Sequence, residues 1–222
     1  MILDASGLVI IASGIQDEQE ALLAIGMGVN AISMEFGPTP QRISTSIAHD
    51  IVRRLPPGIL TIGSFTSEMP QRVVEIVNTL GLSAADLVGP VGLSSVHYVA
   101  ERVRTVIRTL ESPTDLLSYL NDPTIDHFRL PSVDTESALT NALPVIADVG
   151  REAPLIVSAL DEFSVARVVG GYPVWGIDAG ERFRDERGRV DALRLSQYVH
   201  RALEAYALSS VLRFGRERLD GN

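Results

Sequence analysis

Short apolar runs alternate with longer amphipathic stretches along nearly the whole chain. The runs are rich in β-branched residues, which is typical of strands buried on both faces, and the stretches between them repeat apolar residues at helical spacing over about 10–15 residues. The predicted strands cover 8–12, 31–36, 59–65, 84–88, 103–109, 125–130, 155–160 and 174–177. The predicted helices cover 18–29, 46–55, 70–80, 95–102, 113–120, 136–149 and 161–169, and a last one begins at 191.

Local signals support several of these helices. Asp17 and Asp161 stand where an N-cap is needed, because a short carboxylate side chain can accept hydrogen bonds from the free backbone N–H groups of a first helical turn. Pro144 lies inside the helix predicted for 136–149 and is expected to kink or split it.

Eight strand–helix units in 222 residues predict a single α/β domain over 1–222, a (β/α)8 TIM barrel. The alternative is an open, doubly wound sheet. Its G-x-G-x-x-G fingerprint is absent after the first strand, where Gly14 stands alone. In a barrel of this kind the binding site lies at the carboxyl ends of the strands, so side chains there are the candidates for function.

The net charge and the hydropathy of the chain limit the kinds of partner that it can bind. The net charge of −9 argues against nucleic acid, because a surface that follows phosphates needs an excess of positive charge. No run of about 18 apolar residues predicts a membrane span, and the first residues lack the basic region of a signal peptide. The chain is therefore expected to be cytoplasmic, with a small molecule as its ligand.

Two residue types are absent from the chain, and their absence limits the reaction mechanisms that it can use. The chain has no cysteine and no lysine, so its 19 cationic side chains are all arginine. Thiolate nucleophiles and lysine Schiff bases are therefore excluded, and arginine cannot shuttle protons near neutral pH. No cluster has the spacing of metal ligands, and no cofactor is expected. Proton transfer must fall to Asp, Glu, His, Tyr or water.

Several segments resemble motifs of one known family. The stretch 11–15 is similar to K-I-C-G-L, 36–42 (F-G-P-T-P-Q-R) to F-Y-P-x-S-x-R, 85–89 to V-Q-L-H-G, and 188–191 (G-R-V-D) to G-x-K-D. In their order and spacing, these segments make the chain resemble phosphoribosylanthranilate isomerase over nearly its whole length. The resemblance implies an Amadori rearrangement of an N-ribosyl phosphate, carried out by a general acid and a general base.

The resemblance also shows where this chain departs from the family. The family's cysteine base corresponds to Ser13, and its aspartate acid corresponds to Pro131. A serine hydroxyl is a poor base unless a partner activates it, and proline carries no proton to transfer. We therefore expect altered chemistry, in which Ser13, Asp86 and Asp178 are the candidate catalytic residues.

Candidate ligand-binding residues follow from the same comparison. Arg42 corresponds to the family arginine that meets the anthranilate carboxylate, and Asp178 to an aspartate at the ligand, although Asp178 could instead pair with Arg182. The family's G-G after strand seven reads Ser158-Ala159 here, and its S-S-G after strand eight reads 180–182. We therefore expect Ser158, Gly180 and Arg182 at the ligand, although the charge-rich stretch 181–189 could be only a solvated loop.

Three further residues are singled out by their places in strands. Asp86 and Arg129 should both point into the barrel. They either form a structural ion pair across it or, if they lie near its mouth, leave Asp86 as an acid or base and Arg129 as a ligand contact. Glu35 interrupts an apolar strand and is a candidate for ligand binding, but the pattern does not decide which face it occupies.

Three functions remain open at this stage. The first is an isomerase- or lyase-type enzyme of altered chemistry that acts on a small anionic or aromatic metabolite, with a carboxylated or phosphorylated ligand expected. The second is a non-catalytic ligand-binding or partner subunit derived from the isomerase, and the third is an active phosphoribosylanthranilate isomerase. A homodimer is possible, and neither nucleic acid nor membrane is expected as a partner.

Overall fold

The predicted barrel is confirmed. A computed structural model describes residues 7–110, 119–130, 133 and 135–219, and in it eight parallel strands close into a barrel in sequence order, β1 pairing with β8. The strands are β1 Val9–Ala12, β2 Ala31–Glu35, β3 Leu60–Thr66, β4 Ala84–Val88, β5 Val106–Thr109, β6 His127–Leu130, β7 Leu155–Ser158 and β8 Gly176–Asp178.

Seven α-helices lie in the described part of the chain and pack around the barrel. They are α1 Glu18–Gly26, α2 Thr45–Arg54, α3 Pro70–Leu80, α4 Leu93–Ala100, α5 Glu136–Glu152, α6 Glu162–Gly171 and α7 Ala192–Leu219. Asp17 and Asp161 cap α1 and α6 as predicted, since their carboxylates accept from backbone N–H groups of the first turn. The predicted helix over 113–120 falls mostly outside the described residues.

Two features of these elements refine the prediction. Helix α5 is not split at Pro144, because its buried face continues on both sides of the proline and packs against the core. Strand β5 begins at Val106 and not at 103. The N–H of Val103 still donates to the carbonyl of Val99 in the last turn of α4, so Val103 cannot join the strand ladder.

Successive side chains of each strand point alternately out of and into the barrel, and this alternation separates the hydrophobic core from the candidate site. Outward side chains such as Ile10, Ile32 and Leu87 pack under the helices in the main core. Inward side chains at the amino ends of the strands form a second apolar cluster that fills the lumen: Val9, Ile11, Ala31, Ile62, Ala84, Ile107 and Ile156. Further along the same strands the inward positions turn polar, which places charged groups at the carboxyl-end mouth.

His127 begins β6, and its side chain is completely buried. Its ring lies 4.2 Å from that of Trp175, centre to centre, and neither ring nitrogen has a hydrogen-bond partner within the described residues. Burial lowers the pKa of His127 to about 4. The histidine is therefore a neutral packing residue.

None of the helices in the described ranges combines the length and apolar character that a bilayer crossing requires.

Candidate active site

A cavity of about 620 Å³ opens at the carboxyl ends of the strands, a size typical of small-molecule sites. We call it the mouth cavity. Seven of the nine predicted site residues line it: Ser13, Glu35, Asp86, Arg129, Ser158, Asp178 and Gly180. They come from β2, β4, β6, β7 and β8 and from the turns after β1 and β8. Pairing between neighbouring strands fixes their relative positions, as for Asp86 of β4, which lies directly beside Ser64 of β3.

Arg129 is the centre of the charge network in this cavity. Its Nε lies 3.3 Å from Oδ2 of Asp86, and its Nη1 lies 3.0 Å from Oδ2 of Asp178. Burial by itself would lower the pKa of Arg129, but the surrounding carboxylates, Asp86 first, outweigh it and raise that pKa. The guanidinium therefore stays charged, and the predicted pair between Asp86 and Arg129 is present.

Asp86 is fully buried inside the barrel. Burial raises the pKa of its carboxyl group, while the nearby Arg129 and a 2.6 Å hydrogen bond donated by the Thr109 hydroxyl work against that rise. A carboxyl group in this state holds its proton at a higher pH than a solvated aspartate does. This raised pKa makes Asp86 a candidate for proton transfer.

Ser13 and Asp178 form a second unit at the opening. The Ser13 hydroxyl donates to Oδ2 of Asp178 at 2.7 Å, and the backbone N–H of Gly180 donates to Oδ1 at 3.0 Å. Asp178 therefore pairs with Arg129 and Ser13, and not with Arg182. Because the hydroxyl hydrogen of Ser13 points at a carboxylate, Asp178 can accept that proton if Ser13 is to act as a base.

Glu35 faces the mouth cavity, which settles the question that its sequence pattern left open. Its side chain is half-buried at the end of β2. Burial raises the pKa of Glu35, a hydrogen bond with Ser64 opposes the rise, and the charge of Asp86 adds to it. Three carboxylates thus gather around the single guanidinium of Arg129, and their mutual repulsion favours keeping a proton in the site.

Several polar atoms that line the cavity are buried and lack hydrogen-bond partners in the described part of the chain. They include Nη2 of Arg129 and Oγ of Ser158, and the contact between Nε of Arg129 and Oδ2 of Asp86 at 3.3 Å is an ion pair without hydrogen-bond geometry. The large majority of buried polar groups in native proteins are satisfied, so unpaired groups call for an explanation. Arg129 and Ser158 both line the mouth cavity, and their free groups are hydrogen-bond donors for a ligand that enters it.

Two predicted ligand-binding residues lie elsewhere. The side chain of Arg42 is exposed and lines a separate hollow with Glu68 and Arg72, although its backbone bridges to Glu35. Arg182 donates from Nε to the carbonyl of Ala159 and faces a cavity outside the barrel. The structure therefore does not bring either arginine into the mouth cavity. Pro131 lies outside the described residues.

Sequence reasoning missed Arg184, which lies in the charge-rich segment 181–189. Its side chain is buried and pairs with Glu20 at 3.1 Å. Its Nη2 donates to the carbonyl of Ser13 at 3.1 Å and also to that of Gly14. Arg184 thus ties the turn after β8 to the turn after β1 and fixes the backbone that carries Ser13. A solvated loop was therefore the wrong interpretation of this part of the segment.

The turns after β7 and β8 have unusual backbone geometry. Ala159 follows β7 with a φ of 60°, and Gly180 follows β8 with the same value. This left-handed conformation is easy for glycine and strained for alanine. The N–H of Ala159 donates to the carbonyl of Asp178 at 2.8 Å, which helps to hold the strained turn in place.

Comparisons with known proteins identify what this chain is similar to. It is 34% identical over 98 residues to the N-(5'-phosphoribosyl)anthranilate isomerase of Rubrobacter xylanophilus, and 27% identical over 201 residues to that of Solibacter usitatus. The second alignment covers 86% of this chain and 96% of the relative. A crystal structure of phosphoribosyl anthranilate isomerase in complex with reduced 1-(o-carboxyphenylamino)-1-deoxyribulose 5-phosphate superimposes with a TM-score of 0.77 at 22% identity, covering 89% of this chain and 99% of that one.

The alignment with the highest of these identities covers only part of each protein. The segment matched by the Rubrobacter xylanophilus protein spans about half of that relative, 48% of its length and 44% of this chain. No family model matches the chain. Within the described ranges, no group of three or more His, Cys, Asp or Glu side chains is arranged to hold a metal ion.

Proposed function

We propose that this chain, which belongs to the phosphoribosylanthranilate isomerase family, is an isomerase-type enzyme of altered chemistry that acts on a small carboxylated or phosphorylated metabolite in the mouth cavity. One observation carries the proposal. Buried, unpaired polar atoms of Arg129 and Ser158 belong to residues that line a cavity large enough for a metabolite, beside the ion pair of Arg129 with Asp86.

Ligand recognition follows from the unused donors. Nη2 of Arg129 and the hydroxyl of Ser158 can both donate to an oxygen of a carboxylate, a phosphate or a carbonyl group. Because Arg129 is held between Asp86 and Asp178, its guanidinium is oriented before a ligand binds. Such preorganisation lowers the entropic cost of binding.

Proton transfer follows from the carboxyl groups. An isomerase of a carbonyl compound removes a proton from one atom and returns one to a neighbouring atom, so it needs an acid and a base but no other reactant. Glu35 and Asp86 both have raised pKa values and line the same cavity, which suits either of them to hold and release that proton. Asp178 and Ser13 form the second proton-accepting unit.

By the motif resemblance, Ser13 and Pro131 correspond to the family's base and acid, and this difference separates the proposal from ordinary phosphoribosylanthranilate isomerase activity. Losing both groups should lower the rate of that reaction by orders of magnitude. Turnover of N-(5'-phosphoribosyl)anthranilate in a fluorescence assay tests this directly. A rate comparable to that of the relatives would contradict altered chemistry.

Deuterium exchange tests the proposed reaction class. Sugar phosphates and carboxylated aromatic ribosides are first screened by the rise in melting temperature that a bound ligand causes. Compounds that bind are then incubated with the protein in D2O, and proton NMR follows exchange at the carbon next to the carbonyl. We expect exchange with the parent chain and a loss of about 100-fold or more in Glu35→Gln or Asp86→Asn.

A matched control uses Glu68→Gln. Glu68 is also a carboxylate near the carboxyl ends of the strands, but it lines the hollow with Arg42 and not the mouth cavity. Its removal should leave exchange unchanged. A ligand that stabilises the chain without exchange or product formation would contradict the proposed enzyme and favour the non-catalytic binding subunit.

A further inference from the structure

A second cavity, which we call the outer cavity, lies outside the barrel between α7, the start of α6 and the 3₁₀ turn Gly180–Phe183. Its volume is about 480 Å³. Its lining residues are Leu160, Asp161, Glu162, Ala179, Arg182, Phe183, Arg184, Arg194, Gln197 and Tyr198. Among the lining residues of the two cavities only Arg184 is shared, so the outer cavity is distinct from the proposed active site.

Tyr198 is the residue that marks this cavity as a ligand site. Its side chain is only 4% exposed, and its hydroxyl has no hydrogen-bond partner in the described part of the chain. Burial, together with the charges of Asp178 and Asp161, raises the pKa of Tyr198 well above its usual value, so the group remains a neutral O–H donor. Buried hydroxyl groups without a partner are costly, and tyrosines in such positions usually find one.

Three arginines (Arg182, Arg184 and Arg194) and two carboxylates (Asp161 and Glu162) line the cavity, and this excess of positive charge favours an oxyanion. Arg194 and Gln197 rise from the same helix, and the Arg194 side chain is 61% exposed even though its Nε lies 3.4 Å from Asp191. The carboxylate of Asp161 also lines the cavity, and its Oδ1 accepts from the backbone of Phe163 and from Ser164 as the cap of α6.

The apolar groups favour a ligand with a hydrophobic body. Leu160, Ala179 and Phe183 are buried and form the floor of the cavity. Inorganic phosphate would gain nothing from this floor, whereas an organic carboxylate could bury its apolar part there. A planar carboxylate also matches the fork of a guanidinium group.

We propose that the outer cavity is a second binding site, which takes a small organic carboxylate with an apolar body. The Tyr198 hydroxyl and the Arg194 guanidinium donate to the carboxylate, and the ligand's apolar part covers the floor formed by Leu160, Ala179 and Phe183. This site is independent of the proposed reaction, since its donors belong to α7 and not to the barrel strands.

Isothermal titration calorimetry of the full chain with benzoate tests this site. Tyr198→Phe removes one hydroxyl and leaves the ring, so it should fold and should weaken benzoate binding about tenfold or more. Arg194→Gln, on an exposed side chain, should weaken it as well and serves if Tyr198→Phe does not fold. Tyr172→Phe, which removes a tyrosine hydroxyl outside this cavity, and Ser158→Ala, in the mouth cavity, should leave the affinity unchanged.

Three outcomes would overturn the proposal. The first is the absence of benzoate binding at millimolar concentration. The second is binding that Ser158→Ala abolishes and Tyr198→Phe leaves intact, which would place benzoate in the mouth cavity. The third is binding of inorganic phosphate in preference to benzoate with the same dependence on Tyr198, which would show a phosphate site and not a carboxylate site.

Discussion

His127 should make the stability of this protein depend on pH in a way that one substitution removes. Its ring is buried without hydrogen-bond partners, and its pKa falls from 6.5 to about 4 in the folded state. Between these two values the unfolded chain binds a proton that the folded chain does not. The free energy of unfolding therefore falls as the pH is lowered through 6.5, and the loss is complete below about pH 4.

The size of the effect follows from the same two values. A difference of about 2.5 units at 1.36 kcal/mol per unit gives about 3 kcal/mol for the complete loss, of which about 2 kcal/mol has gone by pH 5. His127→Leu replaces the ring with an apolar side chain of similar volume and cannot bind a proton. We expect it to be at least as stable as the parent chain at neutral pH, because two unpaired buried nitrogens are removed.

Urea unfolding followed by the fluorescence of Trp175, the only tryptophan, measures the free energy of unfolding of both proteins from pH 8 to pH 5. The difference between them isolates His127, since all other titrating groups are common to both. His49→Gln, on an exposed helical position, is the control and should follow the parent chain. Parallel curves for the parent chain and His127→Leu would refute a depressed pKa at this residue.

Other perturbations test the network at the mouth and the turns around it. Arg129→Leu should lower the free energy of unfolding by about 3–5 kcal/mol, because it leaves two buried carboxylates unpaired, and adding Asp86→Asn should recover part of this loss. Arg184→Gln should cost a similar amount, about 3 kcal/mol, by leaving Glu20 without its buried partner. Ala159→Gly should raise the free energy of unfolding by up to about 1 kcal/mol, since it relieves a left-handed alanine. Urea unfolding at neutral pH measures all of these, and an unchanged midpoint in any of them would contradict the corresponding argument.

The fold could be predicted from the sequence because the strands and the helices that follow them have local sequence signals. Runs such as 155–160 are apolar and β-branched, and residues such as Asp161 cap the helix that follows. Once a barrel was assumed, residues in neighbouring strands could be assigned to its inner or its outer face. Arg129 shares a side with His127 in β6 and points inward, whereas Arg108 in β5 points outward and binds the carbonyls of Leu87 and Gly89.

The candidate site was less predictable because its contacts join distant parts of the chain. Arg184 and Ser13 are 171 residues apart, and nothing local in the charge-rich segment distinguishes Arg184 from Arg182. The place of the Arg42 side chain could not be predicted for a different reason. A motif match fixes where a residue falls in the chain, but the direction of its side chain depends on how the loop after β2 packs, and here it faces Glu68 and Arg72.

The cost of the network around Arg129 is itself an argument for ligand binding. Removing three charged groups from water costs several kcal/mol each, and well-packed apolar residues in their place often give equal or greater stability. The network is also only partly satisfied, because Nη2 of Arg129 and Oγ of Ser158 have no partner within the described residues, which is worse for stability than either a complete network or an apolar one. Packing of the barrel needs none of these groups, since the apolar cluster below them already fills the lumen. Their unpaired atoms face the mouth cavity, where a ligand can complete the hydrogen bonds that the chain leaves unmade.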